Sequence, residues 1–228
     1  MIKYLFYFTL VTFFFISCGT TRKSMNKVAI APNPVLVKIE TDSGTMIAQL
    51  YDQTPLHKDN FLKLVKEHFY DGLLFHRVIK NFMIQGGDPD SRNAKPGALL
   101  GEGGLKYSIP AEFDTALFHK KGALAMVRES DETNPQKASS STQFYIVEGR
   151  PVTDAQMDQW ETRFKIKIPE NHRAIYRTIG GAPFLDMNYT VFGQVIKGLD
   201  VIDKIANAPK DANDRPLHDI KMKISVIK

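Results

Sequence analysis

Apolar and polar residues alternate near both ends of the main part of the chain, a pattern typical of half-buried β-strands. Residues 35–40 largely follow this alternation, and a turn-forming Asp-Ser-Gly follows at 42–44. Residues 45–51 then continue as the return strand of a predicted hairpin. Near the C-terminus, residues 220–226 alternate in the same way, so the chain is predicted to end on a strand.

Short apolar runs between these two ends are bounded by Gly, Pro, Asn or Asp, which indicates further strands. They cover residues 74–79, 82–85, 123–127, 143–147 and 191–196. Two helices are predicted among them: one from an N-cap at Thr54 and Pro55 to about Phe69, and one over 198–206. Many short strands with few helices favour a mainly β fold, either a closed antiparallel barrel or a sandwich.

Residues 151–181 break this strand rhythm and predict an inserted helical hairpin. Thr153 and Gln156 have the spacing of a capping box, and Met157, Trp160 and Phe164 then recur at helical spacing. A second helix is predicted from Pro169 to a stop at Gly180-Gly181, with apolar positions Ala174, Ile175 and Ile179. We expect the stripe that contains Trp160 to pack in a core rather than to bind a ligand.

The first 17 residues predict a signal peptide. A positive Lys3 precedes an apolar run that ends at Ser17, which is shorter than the ~20 residues that span a bilayer as a helix. The segment Phe15-Ile16-Ser17-Cys18 resembles a bacterial lipobox, although Phe15 stands where leucine is usual. The alternatives are a plain signal peptide and an N-terminal anchor helix.

The lipobox resemblance implies that Cys18 is acylated and becomes the new N-terminus. Residues 18–33 would then form a lipidated N-terminus and polar tether, followed by one domain over 34–228. We expect an exported protein, anchored to a bacterial membrane and facing the periplasm, because residues 19–23 contain no acidic run. A cell-surface location is the alternative.

Composition excludes several classes of partner. The net charge of +5 is small and acidic and basic residues are interleaved, whereas a nucleic-acid interface needs a clustered basic face. After the leader, no stretch is apolar for 18 residues, so a second membrane segment is not expected. With Cys18 as the only cysteine, neither an intramolecular disulfide nor a multi-cysteine zinc site can form. We expect a monomer.

Common catalytic motifs are absent from the sequence. It contains no Gly-x-Ser-x-Gly and no His-Glu-x-x-His, and its six histidines show no paired metal-ligand spacing. Residues 101–104 (Gly-Glu-Gly-Gly) lack both the lysine of a phosphate-binding loop and the dinucleotide-binding spacing, so they predict a turn. We therefore predict no metal and no cofactor.

The most informative segment is 75–88, FHRVIKNFMIQGGD. Strand alternation predicts that Phe75, Arg77 and Ile79 share one face, with His76 and Val78 on the other. After a turn at Lys80-Asn81, Met83 and Gln85 are predicted to share a face. Arg77 and Gln85 would then form a polar fork beside Phe82 and Met83, at the edge of an apolar pocket. The alternative is a surface arginine on a barrel strand.

This segment resembles the signature of cyclophilin-type peptidyl-prolyl isomerases, and the similarity continues in order through residues 34–228. The further motifs are Gly101–Gly104 with Ile109–Phe113, Lys121–Arg128, Ser141–Ile146, and Phe184–Asp186 with Val191–Gly193. The resemblance implies an eight-stranded closed antiparallel barrel capped by two helices, and activity on X-Pro peptide bonds in proteins. It implies no cofactor.

The resemblance also implies roles for individual residues. Arg77 stands at the catalytic arginine position, with Phe82 and Gln85 beside it as catalytic candidates. Met83 and Leu185 match walls of a proline pocket, as Phe82 does, while Gln85 and Gln143 match groups that hold the substrate backbone. His76 matches a histidine at the pocket rim, and the remaining substrate-binding candidates are Val127, Arg128, Tyr145, Phe184 and Tyr189.

Five of these positions depart from the best-known eukaryotic pattern. They are Val127 for alanine, Arg128 for asparagine, Tyr145 for phenylalanine, Phe184 for tryptophan and Tyr189 for histidine. The change at Phe184 predicts weak cyclosporin binding. Tyr145 either narrows the proline pocket or adds a hydroxyl to it, and the arginine-centred chemistry is expected to survive.

Two alternative functions are predicted from the sequence. The first is a prolyl isomerase acting on exported proteins, and the second is a non-catalytic proline-peptide-binding module or holdase chaperone. The insertion lies between Tyr145 and Phe184 along the chain, so we expect it to extend contact with protein substrates. Deleting residues 153–180 would then weaken activity on a folding protein more than on a tetrapeptide.

Overall fold

The structure is a computed structural model that describes residues 34–227. The leader, Cys18 and the predicted tether lie outside the described residues, so those predictions stay predictions. The strands are Leu36–Thr41 (β1), Gly44–Leu50 (β2), Phe75–Ile79 (β3), Met83–Gly86 (β4), Ser108–Ile109 (β5), Ala123–Met126 (β6), Ser139–Ser140 (β7), Phe144–Val147 (β8), Val191–Lys197 (β9) and Met222–Ile227 (β10). The helices are Pro55–Lys66 (α1), Asp154–Phe164 (α2), Glu170–Thr178 (α3) and Leu199–Ala206 (α4), with 3-10 turns at Pro89–Asn93 and Pro183–Leu185.

Eight strands form one curled antiparallel sheet in the order β10-β1-β2-β9-β6-β8-β4-β3, which confirms the predicted mainly β, eight-stranded fold. The strands at the two edges, β3 and β10, are joined through one bridge between Leu74 and Lys221. Gly72 and Phe75 donate backbone hydrogen bonds across the same seam, to Met222 and Ile220. The predicted barrel is therefore closed by a short seam rather than by a continuous ladder.

Both predicted capping helices are present and pack on the sheet's core. The cap of α1 differs from the expected one, because the Thr54 side chain makes no capping hydrogen bond. The carboxylate of Glu112 instead accepts the N–H groups of Leu56 and His57, at 3.1 and 3.0 Å. A distant carboxylate thus satisfies the free donors of the first turn and complements the helix dipole. The helix ends at Lys66, one turn before the predicted end.

The main core is an aromatic cluster inside the curled sheet. Phe61 of α1 lies 5.0 to 5.5 Å, between ring centres, from Tyr70, Phe144 and Phe192, and Phe75 contacts Phe144. All five rings are fully buried. Their tilted and edge-to-face geometries are the favoured ones for aromatic pairs. This core holds β3, β8 and β9 in fixed positions, and β3 and β8 carry predicted site residues.

The insertion forms the predicted helical hairpin, α2 and α3. Its capping box is complete, since Thr153 accepts from the Gln156 backbone and Gln156 accepts from the Thr153 N–H. The predicted apolar face of α3 was only partly correct: Ile175 packs against the core, but Ala174 and Ile179 are exposed. The residues buried from this helix are His172, Arg173 and Tyr176. These polar groups can be buried because each meets a partner: His172 stacks on Phe118, carboxylates of α2 pair with Arg173, and Asp186 accepts from Tyr176.

Candidate functional site

A cavity of about 150 Å³ opens on the outer side of the sheet. Its walls come from β3, β4, β8 and the loops that follow β6 and precede β9. The nine lining residues are all among the twelve pocket residues predicted from the sequence: Arg77, Phe82, Met83, Gln85, Val127, Arg128, Tyr145, Leu185 and Tyr189. The other three, His76, Gln143 and Phe184, lie outside the lining, each for a different reason.

Arg77 reaches the cavity because β3 contains a bulge. Phe75 pairs with Gly86 and Arg77 pairs with Gln85, so β3 has one extra residue, His76, between two consecutive pairs. The predicted alternation was therefore wrong for Phe75, which lies in the main core with Val78. Arg77 faces the cavity instead, and its side chain remains 42% exposed.

A chain of side-chain hydrogen bonds orients the guanidinium. Arg77 Nη1 donates to Gln85 Oε1 at 3.2 Å, and Gln85 Nε2 donates to Gln143 Oε1 at 3.1 Å. Gln143 Nε2 then donates to the carbonyls of Gly101 and Gly103, at 2.8 and 2.7 Å. Gln143 is thus a support for Gln85 rather than a wall of the cavity. Among residues 34–227 only Gln85 accepts a hydrogen bond from Arg77, and Asp214 Oδ2 lies 4.0 Å from Arg77 Nε, so the remaining Nη N–H groups can point at a bound group.

Phe82 is positioned by the turn between β3 and β4. Asn81 has a left-handed backbone, with φ of 63°, and its N–H donates to the carboxylate of Glu148. The carbonyl of Phe82 accepts the N–H groups of Glu148 and Gly149, at 3.0 and 3.1 Å. Burial raises the pKa of Glu148. These bonds fix the turn, and with it the ring that forms one wall of the cavity.

Phe184 supports this wall from behind. Its ring centre lies 5.5 Å from that of Phe82, and the insertion covers it with Trp160 at 5.2 Å and Phe164 at 6.2 Å. The stripe of α2 that contains Trp160 therefore packs against other side chains, as expected from its spacing. It also connects the insertion to the cavity wall.

His76 is buried away from the cavity and does not form its rim. The residue is 2% exposed, and neither imidazole nitrogen has a hydrogen-bond partner of ordinary geometry among the described residues. It occupies the bulge of β3, and a Cβ atom on Gly101 would lie 3.8 Å from its Nε2. Burial lowers the pKa of His76 to about 4.

Tyr145 forms the floor of the cavity with its ring, and its hydroxyl points away from the cavity. The hydroxyl lies 2.9 Å from His119 Nε2, and His119 Nδ1 lies 2.9 Å from Asp186 Oδ1. Tyr176 of α3 donates to the other oxygen, Asp186 Oδ2, at 2.7 Å. Of the two roles considered for Tyr145, this geometry fits a narrower pocket and not an added hydroxyl inside it.

His119, Asp186 and Tyr176 were not among the site residues predicted from the sequence. Only Asp186 carried any signal, because it directly follows the pocket residues Phe184 and Leu185. His119 lies 67 residues before Asp186, and a side-chain contact over such a separation leaves no periodic pattern.

Arg128 and Tyr189 form the side of the cavity opposite Arg77. The Arg128 guanidinium lies 4.6 Å from the centre of the Tyr189 ring and pairs with Asp131 at 2.7 Å. Its Nε also donates to the carbonyl of Asn188 at 2.6 Å. These contacts hold Arg128 in place as a cation–π partner and structural support, so Arg77 is the more available donor in the cavity.

A second, larger groove of about 460 Å³ adjoins the cavity and shares Val127 and Arg128 with it. Its lining includes residues 101–105, parts of 127–141 and Gln143. The side chain of Asp88 holds the first of these segments by accepting the N–H of Gly101. A polar groove beside an apolar cavity suits an extended peptide that buries one side chain.

Within residues 34–227, His, Cys, Asp and Glu residues do not gather in any group of three or more that could hold a metal ion. Over the same part of the chain, no helix has the length and apolar character to cross a membrane. The chemical groups that the described cavity offers are the oriented Arg77 guanidinium and the apolar side chains of its floor and wall.

Comparisons with known proteins agree with this description. Residues 36–226 match the model of the family described as cyclophilin type peptidyl-prolyl cis-trans isomerase/CLD. A Staphylococcus haemolyticus protein assigned as a peptidyl-prolyl cis-trans isomerase is 35% identical over 88% of this chain and 94% of its own. A Staphylococcus saprophyticus protein with the same assignment is 34% identical, over 82% and 89%.

A solved structure gives a similar result. It is a Cryptosporidium parvum cyclophilin type peptidyl-prolyl cis-trans isomerase, crystallised in the presence of the dipeptide Ala-Pro. The identity is 25% and the TM-score 0.62, over 85% of this chain and 99% of that one. The chain therefore belongs to the cyclophilin-type peptidyl-prolyl cis-trans isomerase family. It is an enzyme that interconverts the cis and trans forms of X-Pro bonds.

Proposed function

We propose that this isomerase binds proline in the 150 Å³ cavity and stabilises the twisted peptide bond with the Arg77 guanidinium. The observation that carries the proposal is the hydrogen bond from Arg77 to Gln85, which holds a charged donor at the mouth of an apolar cavity. The Ala-Pro dipeptide present with the related Cryptosporidium protein supports a proline-containing ligand.

The chemistry explains why an arginine is suited to this step. Rotation about a peptide bond costs ~18–20 kcal/mol because the nitrogen lone pair is delocalised into the carbonyl. When the bond is twisted by 90°, that lone pair localises on the nitrogen and becomes a hydrogen-bond acceptor. Arginine can donate to it without losing its own proton. Since this acceptor exists only in the transition state, the interaction lowers the barrier rather than tightening ground-state binding.

The cavity walls add a second effect. Phe82, Met83, Tyr145 and Leu185 surround the amide with apolar groups and remove water from it. The planar amide has more charge separation than the twisted one, so an apolar site stabilises the planar form less than water does. The difference favours rotation. Residues on either side of the proline would lie along the adjoining groove.

A non-catalytic proline-peptide-binding module or holdase is the second candidate function considered from the sequence. The oriented Arg77 favours catalysis, because peptide capture alone does not need a charged donor beside the amide. A protease-coupled assay on an Ala-Pro tetrapeptide distinguishes the two. The expected result is acceleration of the cis-to-trans step that Arg77→Ala diminishes. A protein that binds the peptide without accelerating the step would be the holdase.

The location of the enzyme is a separate part of the proposal. A lipid on Cys18 would hold the isomerase domain at a bacterial membrane, facing the periplasm, where exported chains fold. In cells that process bacterial lipoproteins, we expect wild type in the membrane fraction with an acylated residue 18. Cys18→Ala should shift the protein to the soluble exported fraction or retain its leader. Mass spectrometry that finds a free Cys18 thiol in membrane-bound wild type would contradict lipidation.

A further inference from the structure

The hydrogen bonds below the cavity floor run continuously from Tyr145 on β8 to Tyr176 on the inserted helix α3. All three links are 2.7 to 2.9 Å long: Tyr145 to His119, His119 to Asp186, and Asp186 to Tyr176. His119 and Tyr176 are fully buried, and Asp186 is 9% exposed. Hydrogen bonds in such an environment are stronger than in water, and an unpaired group there is costly.

The direction of each bond follows from the chemistry of the groups. Asp186 Oδ1 accepts the backbone N–H of His119 as well as its Nδ1–H, so the ring proton is on Nδ1. In this tautomer Nε2 is an acceptor, and the Tyr145 hydroxyl donates to it. Tyr176 donates to the remaining carboxylate oxygen. Three donors thus converge on the carboxylate of Asp186, and one of them comes from the insertion.

The same residue types activate nucleophiles in some enzymes, but this arrangement is not suited to that role. Burial raises the pKa of both Tyr145 and Tyr176 well above the usual tyrosine value, which keeps both hydroxyls neutral. The Tyr145 hydroxyl also points to the fully buried His119 and not into the cavity. The ring face of Tyr145 is what a ligand would meet. The hydrogen bonds therefore orient the ring instead of activating its oxygen.

We propose that Tyr176 is a positioning residue for the isomerase: through Asp186 and His119, it holds the Tyr145 ring that forms the floor of the proline cavity. This rests on the proposed use of that cavity for proline. The insertion is then part of the machinery that acts on the smallest substrates. That role differs from the extended contact with protein substrates expected from the sequence, and the two roles predict different results with a tetrapeptide.

A double-mutant cycle on kcat/KM for an Ala-Pro tetrapeptide tests the coupling. Tyr176→Phe removes one hydroxyl and is expected to lower kcat/KM about fivefold, a loss of ~1 kcal/mol in transition-state stabilisation. Because both tyrosines belong to one hydrogen-bond network, this effect should depend on the Tyr145 hydroxyl. In the Tyr145→Phe background, where the hydrogen-bond chain is already broken, Tyr176→Phe should change the rate less than twofold. Equal effects in the two backgrounds would overturn the proposal, as would no effect in either.

The control is Thr153→Ala, which removes the capping box of α2 and weakens the same hairpin by ~1 kcal/mol. It leaves Tyr176, Asp186 and His119 unchanged, so kcat/KM should stay at the wild-type value. An equal loss in Thr153→Ala and Tyr176→Phe would mean that the rate follows hairpin stability alone. Thermal unfolding of each variant sets an assay temperature at which all are folded.

A spectroscopic measurement makes the test independent of the rate. The aromatic ¹³C resonances of Tyr145 should shift or broaden in Tyr176→Phe and stay in place in Thr153→Ala. Unchanged Tyr145 resonances in Tyr176→Phe would contradict the proposal. If Tyr176→Phe does not fold, Asp186→Asn takes its place in the same cycle. A wild type that lacks activity would instead overturn the proposed function, and an active wild type insensitive to Tyr176→Phe would overturn this inference alone.

Discussion

Arg77→Ala is expected to lower kcat/KM for a proline-containing tetrapeptide by about tenfold to a hundredfold. The range follows from a charge-assisted hydrogen bond worth ~1.5–3 kcal/mol that forms only in the transition state, at ~1.36 kcal/mol per decade of rate. Residual activity should remain, because the apolar walls still desolvate the amide. The protease-coupled assay measures this ratio directly, and equal rates for the two proteins would remove Arg77 from the mechanism.

Two further variants show whether geometry or charge matters at this position. Arg77→Lys keeps the positive charge but loses the planar fork that donates to Gln85 and to the substrate at the same time, so it should recover only part of the activity. Lys80→Ala removes one positive charge from the exposed turn after β3 and leaves the cavity lining intact. It should behave as wild type. A similar loss in Lys80→Ala and Arg77→Ala would indicate a general electrostatic effect.

Acidification from pH 6.5 to about 4 is expected to lower the free energy of unfolding by roughly 3 kcal/mol through the titration of His76 alone. Burial lowers the pKa of this imidazole to about 4 in the folded protein, against 6.5 as the ordinary value. Between these two pH values the unfolded chain binds the proton and the folded one does not, so the free energy of unfolding falls as the pH falls. The nearby Asp88 opposes this shift, but burial is the larger effect.

His76→Met isolates that contribution. The imidazole nitrogens have no hydrogen-bond partner of ordinary geometry among the described residues, so an apolar side chain of similar size removes the titration without breaking a polar contact. Denaturant unfolding at several pH values should show a shallower loss of stability in the variant. Burial also lowers the pKa values of His57 and His172, so part of the slope should persist. Parallel pH profiles for His76→Met and wild type would contradict the assignment.

Most of the framework could be predicted from the sequence, because it depends on local pattern. Alternation and turn residues predicted the eight strands of the main sheet but not the two-residue strands β5 and β7. The capping box at Thr153 marked the start of α2 correctly. The family motifs indicated nine residues that do line one cavity. Each of those motifs is a short continuous segment on a strand or an adjacent loop, so resemblance along the chain was sufficient to find it.

The errors share a physical cause, which is contact between residues distant in sequence. The bulge in β3 shifts the register by one residue, so the alternation placed Phe75 on the wrong face. The inward face of α3 contains Arg173 and Tyr176 because partners on α2 and at Asp186 satisfy them. An apolar periodicity cannot identify such a face. His76 likewise matched the family pattern at the rim, but it is buried at the bulge and lines neither the cavity nor the groove.

The insertion leaves and re-enters the barrel at a single point. Arg150, which precedes the insertion, and Gly181, its last residue, are bridge partners. Gly149 also approaches Gly181 so closely that a Cβ atom on Gly149 would lie 2.5 Å from the Gly181 Cα. Because the two ends of the insertion are adjacent, the segment can be gained or lost without changing the order or the pairing of the barrel strands. The hydrogen bond from Tyr176 to Asp186 does not share that independence. A descendant that lost the hairpin would keep the topology of the barrel but would need a new donor for Asp186.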